Sequence, residues 1–171
     1  KGNLAGIGAT LEGFDCNPYI YEYVFEKAWN FPANRNIQEW VNALADQRTG
    51  KVDANARQAW QLLVDSIYNQ QTVTQQRQPF FNMRPAFMTS NMVRQIPQVD
   101  KEDKILLEVI EKLLQVDSDR QSYHFDLANL TRQLLTNHFM SVFYDYQKAY
   151  EAKDLQTMRL LAKKMTTISE D

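Results

Sequence analysis

Glu12 is the residue of this chain best placed to do chemistry. It lies in a glycine-rich stretch in which Gly2, Gly6, Gly8 and Gly13 are four of the five glycines among 171 residues. Glycine frees the backbone and admits close neighbours, so close-fitting surroundings are expected around Glu12. Leu4 to Ala9 reads as an extended segment and Gly13 to Cys16 as a short loop. Asn17 and Pro18 then supply an N-cap and a first helical residue. A carboxylate delivered after a strand end and ahead of a helix is a catalytic placement in barrel enzymes. The alternative is a solvated loop acid, the commoner state of a glutamate.

The chemistry open to one such carboxylate is limited by what accompanies it. Glycoside hydrolysis needs two, one to donate a proton and one to attack or to activate water. Asp15, Glu22 and Glu26 are near in sequence, but Glu22 and Glu26 are expected on the outward, solvated side of the first helix. A second acid would have to come from outside this chain. Tyr19, Tyr23, Trp29, Phe80, Phe81 and Phe87 could stack on a sugar, whereas Trp40 and Trp60 are expected in the core. Other chemistries find less support. His124 and His138 are spaced unlike zinc ligands, so no metal site is expected. Ser66, Ser90, Ser118 and Ser141 lack a G-x-S-x-G setting, and Cys16 has no histidine near it in sequence. Gly6 and Gly8 lack the third glycine and distal acid of a dinucleotide fingerprint.

The elements that must position these residues are helical. With 44% hydrophobic and 12% aromatic content the chain can bury a sizeable core as one globule. Tyr21, Val24, Phe25, Ala28 and Trp29 form the stripe of a first helix. Asn36 caps a second, with Ile37, Trp40, Val41, Leu44 and Ala45 inward, and Gly50 stops it. Asp53 caps a third, with Ala56, Ala59, Trp60, Leu63, Val64 and Ile67 inward, ending near Tyr68 and Asn69. Periodicity then vanishes across a long loop, residues 70–99, where Pro79, Pro85 and Pro97 block helix and Pro79 to Met92 is expected to cover something. Asp100 is expected to cap a fourth helix with Leu106, Val109, Ile110, Leu113 and Leu114 inward. One long helix follows from Tyr123 through Tyr150. Asp154 caps a last one carrying Leu155, Met158, Leu161, Ala162, Met165 and Ile168. The fold class expected is all-α, about six helices preceded by a short extended Gly-rich segment. No fixed-period repeat suggests a solenoid.

Charge and hydropathy exclude some partners. The net charge of −2 and the absence of basic runs longer than two residues give no footprint for nucleic acid. No apolar run approaches the ~20 residues that span a bilayer, so no membrane is expected. Neither a signal peptide nor an initiator Met precedes Lys1, so truncation of a longer chain is expected.

Several motifs together resemble one family. Gly6-Ile7-Gly8-Ala9-Thr10-Leu11-Glu12-Gly13-Phe14, followed by Asn17-Pro18-Tyr19-Ile20-Tyr21, looks like the α-N-acetylglucosaminidases of glycoside hydrolase family 89. Trp40, Gln47-Arg48-Thr49-Gly50, Ala59-Trp60-Gln61-Leu62-Leu63 and Ser66-Ile67-Tyr68-Asn69 resemble its next landmarks in order, as do Arg84-Pro85 and Phe125-Asp126-Leu127 with Thr131-Arg132-Gln133. Thr49 departs from the family, which has tyrosine in its RYG landmark.

The resemblance implies that residues 1–16 end a catalytic barrel with its active-site loop and that 17–171 form an all-α C-terminal domain. It implies Glu12 as the nucleophile of a retaining mechanism, with the acid/base glutamate upstream. Asn17, Arg84 and Phe87 are candidate substrate contacts, and Arg48 is carried as a structural residue. The implied partners are a glycan with a terminal α-linked N-acetylglucosamine and the upstream barrel of the same parent chain, with no metal or organic cofactor. The parent is expected to be exported, to the periplasm or medium if bacterial and to the lysosome if animal. The isolated segment is expected to be inactive. A helical protein-interaction module or a noncatalytic carbohydrate-binding module is the alternative.

Overall fold

The computed structural model describes residues 3, 6, 8, 18–30, 36–68 and 99–170. Among these the protein is all-α, with no strand. It divides into two compact units, Lys1–Trp40 and Val41–Asp171.

In the first unit, α1 (Pro18–Asn30) starts at the proline, whose fixed φ suits a first helical position. The face it uses differs from the expected stripe. Tyr19, Tyr23 and Glu26, spaced i, i+4 and i+7, all meet Trp40, while Phe25 is 42% exposed and stacks along the helix on Tyr21. Two tyrosine rings and a carboxylate suited to the indole N–H set the face that meets Trp40. Glu26 is therefore half-buried and hydrogen-bonded, contrary to the outward, solvated place expected for it.

The second helix, α2 (Ile37–Thr49), is capped by Asn36, whose Oδ1 accepts the Gln38 N–H at 3.0 Å. Val41, Leu44 and Ala45 are buried as the periodicity requires. Gly50 ends the helix at φ +73°, a left-handed conformation that glycine adopts without steric cost. Asp53 caps α3 (Ala54–Leu63), Oδ1 accepting the N–H groups of Asn55 and Ala56 at 2.8 and 3.1 Å. Ala56, Ala59, Trp60 and Leu63 face inward. The helix continues as a π-helical turn, Val64–Tyr68, whose wider winding leaves Ile67 half-buried rather than on the expected inward stripe.

Helix α4 (Val99–Leu113) starts one residue ahead of Asp100, which lies inside it instead of capping it. Asp103 accepts from Asn137 Nδ2 on the next helix at 2.8 Å. Leu106, Val109, Ile110 and Leu113 are buried, but Leu114 is 64% exposed. The helix has ended there, and the tightened turn made by Gln115 N–H on Lys112 O and Val116 N–H on Leu113 O brings Val116 inward instead.

The long helix expected from Tyr123 is α5 (Gln121–Glu151), 31 residues. It ends in a Schellman motif, with Asp154 N–H on Ala149 O and Lys153 N–H on Tyr150 O, and Lys153 at φ 56°. Asp154 then caps α6 (Leu155–Glu170) through the Gln156 and Thr157 N–H groups and the Thr157 hydroxyl. Ile168 is buried in α6, whereas Leu155, expected inward, is 66% exposed in the first turn. Packing runs in chain order, α3 on α4, α4 on α5 and α5 on α6. No helix among the described residues is long and apolar enough to cross a membrane.

Candidate functional site

Glu12, Asn17, Arg84 and Phe87 lie outside the described residues, as do Phe80 and Phe81. Among the described residues, nothing lies within 4 Å of a Cβ added at Gly6 or Gly8. What the described residues do build is two polar constellations, one in each unit.

In the first unit Trp40, 2% exposed, donates its indole N–H to a Glu26 carboxylate oxygen at 2.5 Å. Tyr19 and Tyr23 present ring edges to the same indole at 5.4 and 5.0 Å, and the Lys27 ammonium sits 4.5 Å from the Tyr23 centroid. Burial removes Trp40 from any stacking on a sugar. A half-buried carboxylate on a buried donor and a cation on an aromatic face join in one clasp.

In the second unit Arg48, in the last turn of α2, grips Asp126 in the second turn of α5 with two parallel bonds. Nη2 reaches Oδ1 at 2.7 Å, and Nε reaches Oδ2. The two side chains are 11% and 10% exposed, and the guanidinium lies 5.9 Å from the Trp60 ring. The last carbonyls of α2, which have no partner within the helix, are taken by hydroxyls distant in sequence. Ser122 Oγ donates to Arg48 O at 2.6 Å and Ser118 Oγ to Thr49 O at 2.8 Å. Thr49 Oγ1 stands 2.9 Å from both Ala45 O and Lys51 O, its hydroxyl turned back on its own turn. Asp46 and Arg57 tie α2 to α3, and this hydrogen bond is the main cause that raises the Arg57 pKa. Tyr123 donates its hydroxyl to Leu113 O at 2.9 Å. Burial first, then the charges of Asp117 and Asp53, pushes that phenol up.

The landmarks from three distant segments, Arg48 to Gly50, Trp60 and Asp126, thus meet in one cluster. Its chemistry is structural: the guanidinium and carboxylate satisfy one another bidentately, and neither is left to carry a proton for substrate. From sequence Glu26 is expected to be solvated, Ser118 is weighed only as a nucleophile, Asp126 figures only within a motif, and Ser122 is not singled out. The signal available for Asp126 was its place one turn ahead of Leu130 and three residues after Tyr123, on the buried side of α5. His124 is exposed and His138 half-buried, and among the described residues no group of three or more His, Cys, Asp or Glu could hold a metal.

The family described as "Alpha-N-acetylglucosaminidase (NAGLU) C-terminal domain" matches residues 40–171. Alpha-N-acetylglucosaminidase from Homo sapiens is 25% identical over 159 residues, covering 91% of this chain and 21% of the human protein. The chain therefore spans about a fifth of the length of the curated relative it matches. No solved structure matches it significantly. With its all-α fold and a family match running from Trp40 through the helical unit, the chain belongs to the α-N-acetylglucosaminidase C-terminal domain family, in agreement with the resemblance carried by its motifs.

Proposed function

We propose that this chain is part of a retaining exo-α-N-acetylglucosaminidase that removes terminal α-linked N-acetylglucosamine from glycans. The observation that carries the reading is the family match over 40–171, joined to a likeness to the human enzyme that extends over 91% of the chain. Residues 1–16 are the end of the catalytic barrel and 17–171 its all-α companion. Glu12 is the nucleophile. Its carboxylate attacks the anomeric carbon while an acid/base glutamate elsewhere in the parent protonates the departing oxygen. The same residue then deprotonates the water that releases the sugar. Asn17, Arg84 and Phe87 contact the substrate. The chemistry calls for no metal or organic cofactor, and the parent is exported. The isolated chain is inactive because carboxylates that act as a pair lose most of their effect when one is missing.

The test is hydrolysis of an aryl α-N-acetylglucosaminide by the full-length parent, by its Glu12→Gln variant and by this chain in isolation. Turnover is expected in the wild-type parent only, with Glu12→Gln lower by roughly 10⁴-fold or more. Wild-type rates in Glu12→Gln would sink the nucleophile assignment, and an inactive but folded parent would favour a binding module.

A further inference from the structure

Helix α6 is held to the fold along one face. Its side chains that are not exposed are Thr157, Met158, Leu161, Ala162, Met165 and Ile168, a stripe at helical spacing, and of these only Ile168 is buried. The short turn of Ala152 to Asp154 joins α6 to α5, so its 16 residues, about 24 Å, run back along the C-terminal half of that helix, where Val142 and Ala149 are buried. Among the described elements α6 packs mainly on α5. Its attachment therefore depends on four larger inward side chains, and two of them, Met158 and Met165, are thioethers two turns apart. A methionine side chain is unbranched and adapts to an irregular apolar gap, but its sulfur is the one atom of this stripe that an oxidant can change. Both methionines are half-buried, close enough to water for a small solute to reach them.

We propose that Met158 and Met165 are oxidation sites through which a peroxide releases α6 from α5. At each sulfur hydrogen peroxide gives up one oxygen atom: its O–O bond breaks, an S–O bond forms, the thioether is oxidised by two electrons to the sulfoxide, and water leaves. The sulfoxide oxygen is a polar acceptor. Returning it to an apolar face strips away its water, which costs free energy unless a donor takes the water's place. Two such groups on a stripe with one buried residue shift α6 towards its detached state. The opening stops there, because the first turns of α5 are bolted to α2 by the Arg48–Asp126 pair and the Ser122 hydroxyl. This site is independent of Glu12 and of the reaction that the parent carries out.

Titration of the full-length parent with hydrogen peroxide, read by peptide mass spectrometry and deuterium exchange, tests this. Sulfoxide at Met158 and Met165 is expected to speed exchange in α6 about tenfold or more, with peptides around Tyr123 unchanged. Met158→Leu with Met165→Leu keeps the apolar volume and removes the sulfur while leaving the other four of the six methionines in place, so peroxide should leave its α6 closed. Each single leucine variant should open in part, and the two decide by themselves if the double variant does not fold. Met158→Gln with Met165→Gln puts a polar group of similar length at both positions and should open α6 without oxidant. The proposal is overturned if the two sulfurs stay reduced at peroxide levels that oxidise free methionine, or if α6 exchange is unchanged once both are oxidised. Equal opening in the double leucine variant, or a closed α6 in the glutamine variant, overturns it as well.

Discussion

Removing the Asp126 carboxylate takes the nearly buried Arg48 guanidinium out of its bidentate pair, and the geometry indicates how much that costs. Both N–H···O bonds of the pair are lost at once, in a site where the two side chains are only 11% and 10% exposed. Breaking a buried pair from one side costs about 3–5 kcal/mol. For a chain of this length that is roughly 10–15 °C in Tm. Asp126→Asn keeps one acceptor and is expected to lose about half as much. Replacing both partners by apolar residues of similar size, Arg48→Met with Asp126→Leu, removes the stranded charge and should return to within ~1 kcal/mol of wild type, because desolvation offsets most of the attraction in the intact pair. Urea unfolding followed by far-UV circular dichroism gives the full cycle, with an expected coupling energy of about 2 kcal/mol or more. The reasoning is refuted if Asp126→Ala costs under ~1 kcal/mol, as a solvated surface pair would, or if the double variant is no better than Asp126→Ala.

Among the described residues, Gly50 and Lys153 have positive φ and should respond in opposite directions. Gly50→Ala meets both a left-handed backbone and the Arg120 side chain, and is expected to cost about 1–2 kcal/mol by calorimetry. Lys153→Gly relieves the same conformation at the end of α5 and should stabilise by about 0.5–1 kcal/mol. Asp154 is held below the usual carboxylate range chiefly by the Thr157 hydroxyl, then by the backbone N–H groups of Thr157 and Gln156. Its stabilising effect is whole above the ordinary carboxylate pKa and is lost as pH falls through the depressed folded-state value. Thr157→Val removes the largest cause. An NMR titration should show the Asp154 pKa moving back up, and the acid loss of α6 moving to higher pH; an unchanged titration would contradict the cap.

Much of the helical order was legible because caps and periodicity are local. Asn36, Asp53 and Asp154 announce their helices within four residues, and the stripes of α2, α3 and α4 follow from spacing. Errors arise where a neighbour or a change of winding decides. The face of α1 is chosen by Trp40, twenty-one residues after Tyr19. Ile67 is moved by the π-helical turn, and Leu114 by the end of α4, both invisible to a pattern that assumes 3.6 residues per turn. Asp100 is expected to cap a helix beginning at residue 101, and α4 begins two residues earlier, at Val99. The lock joins Arg48 and Thr49 to Ser118, Ser122 and Asp126, 69 to 78 positions later in the chain. Polarity alone gives no hint that such residues meet. Glu12 stands out by its glycine-rich setting as well as by motif likeness, and with Asn17, Arg84 and Phe87 it falls outside the described residues.

The helix α5 is 31 residues long, about 46 Å at 1.5 Å per residue, and its two ends do different work. Its first two turns are bolted to α2 by the Arg48 pair and the Ser122 hydroxyl, whereas α6, carrying Ile168 as its buried side chain and Leu155 and Leu160 more than 60% exposed, packs mainly on α5. Opening free energies follow buried contact, so the strut should not melt as one piece. In deuterium exchange, amides of α6 are expected to open as a separate cooperative unit while those near Tyr123 wait for global unfolding. Such a hierarchy makes the last hairpin the natural place for a protease to enter first.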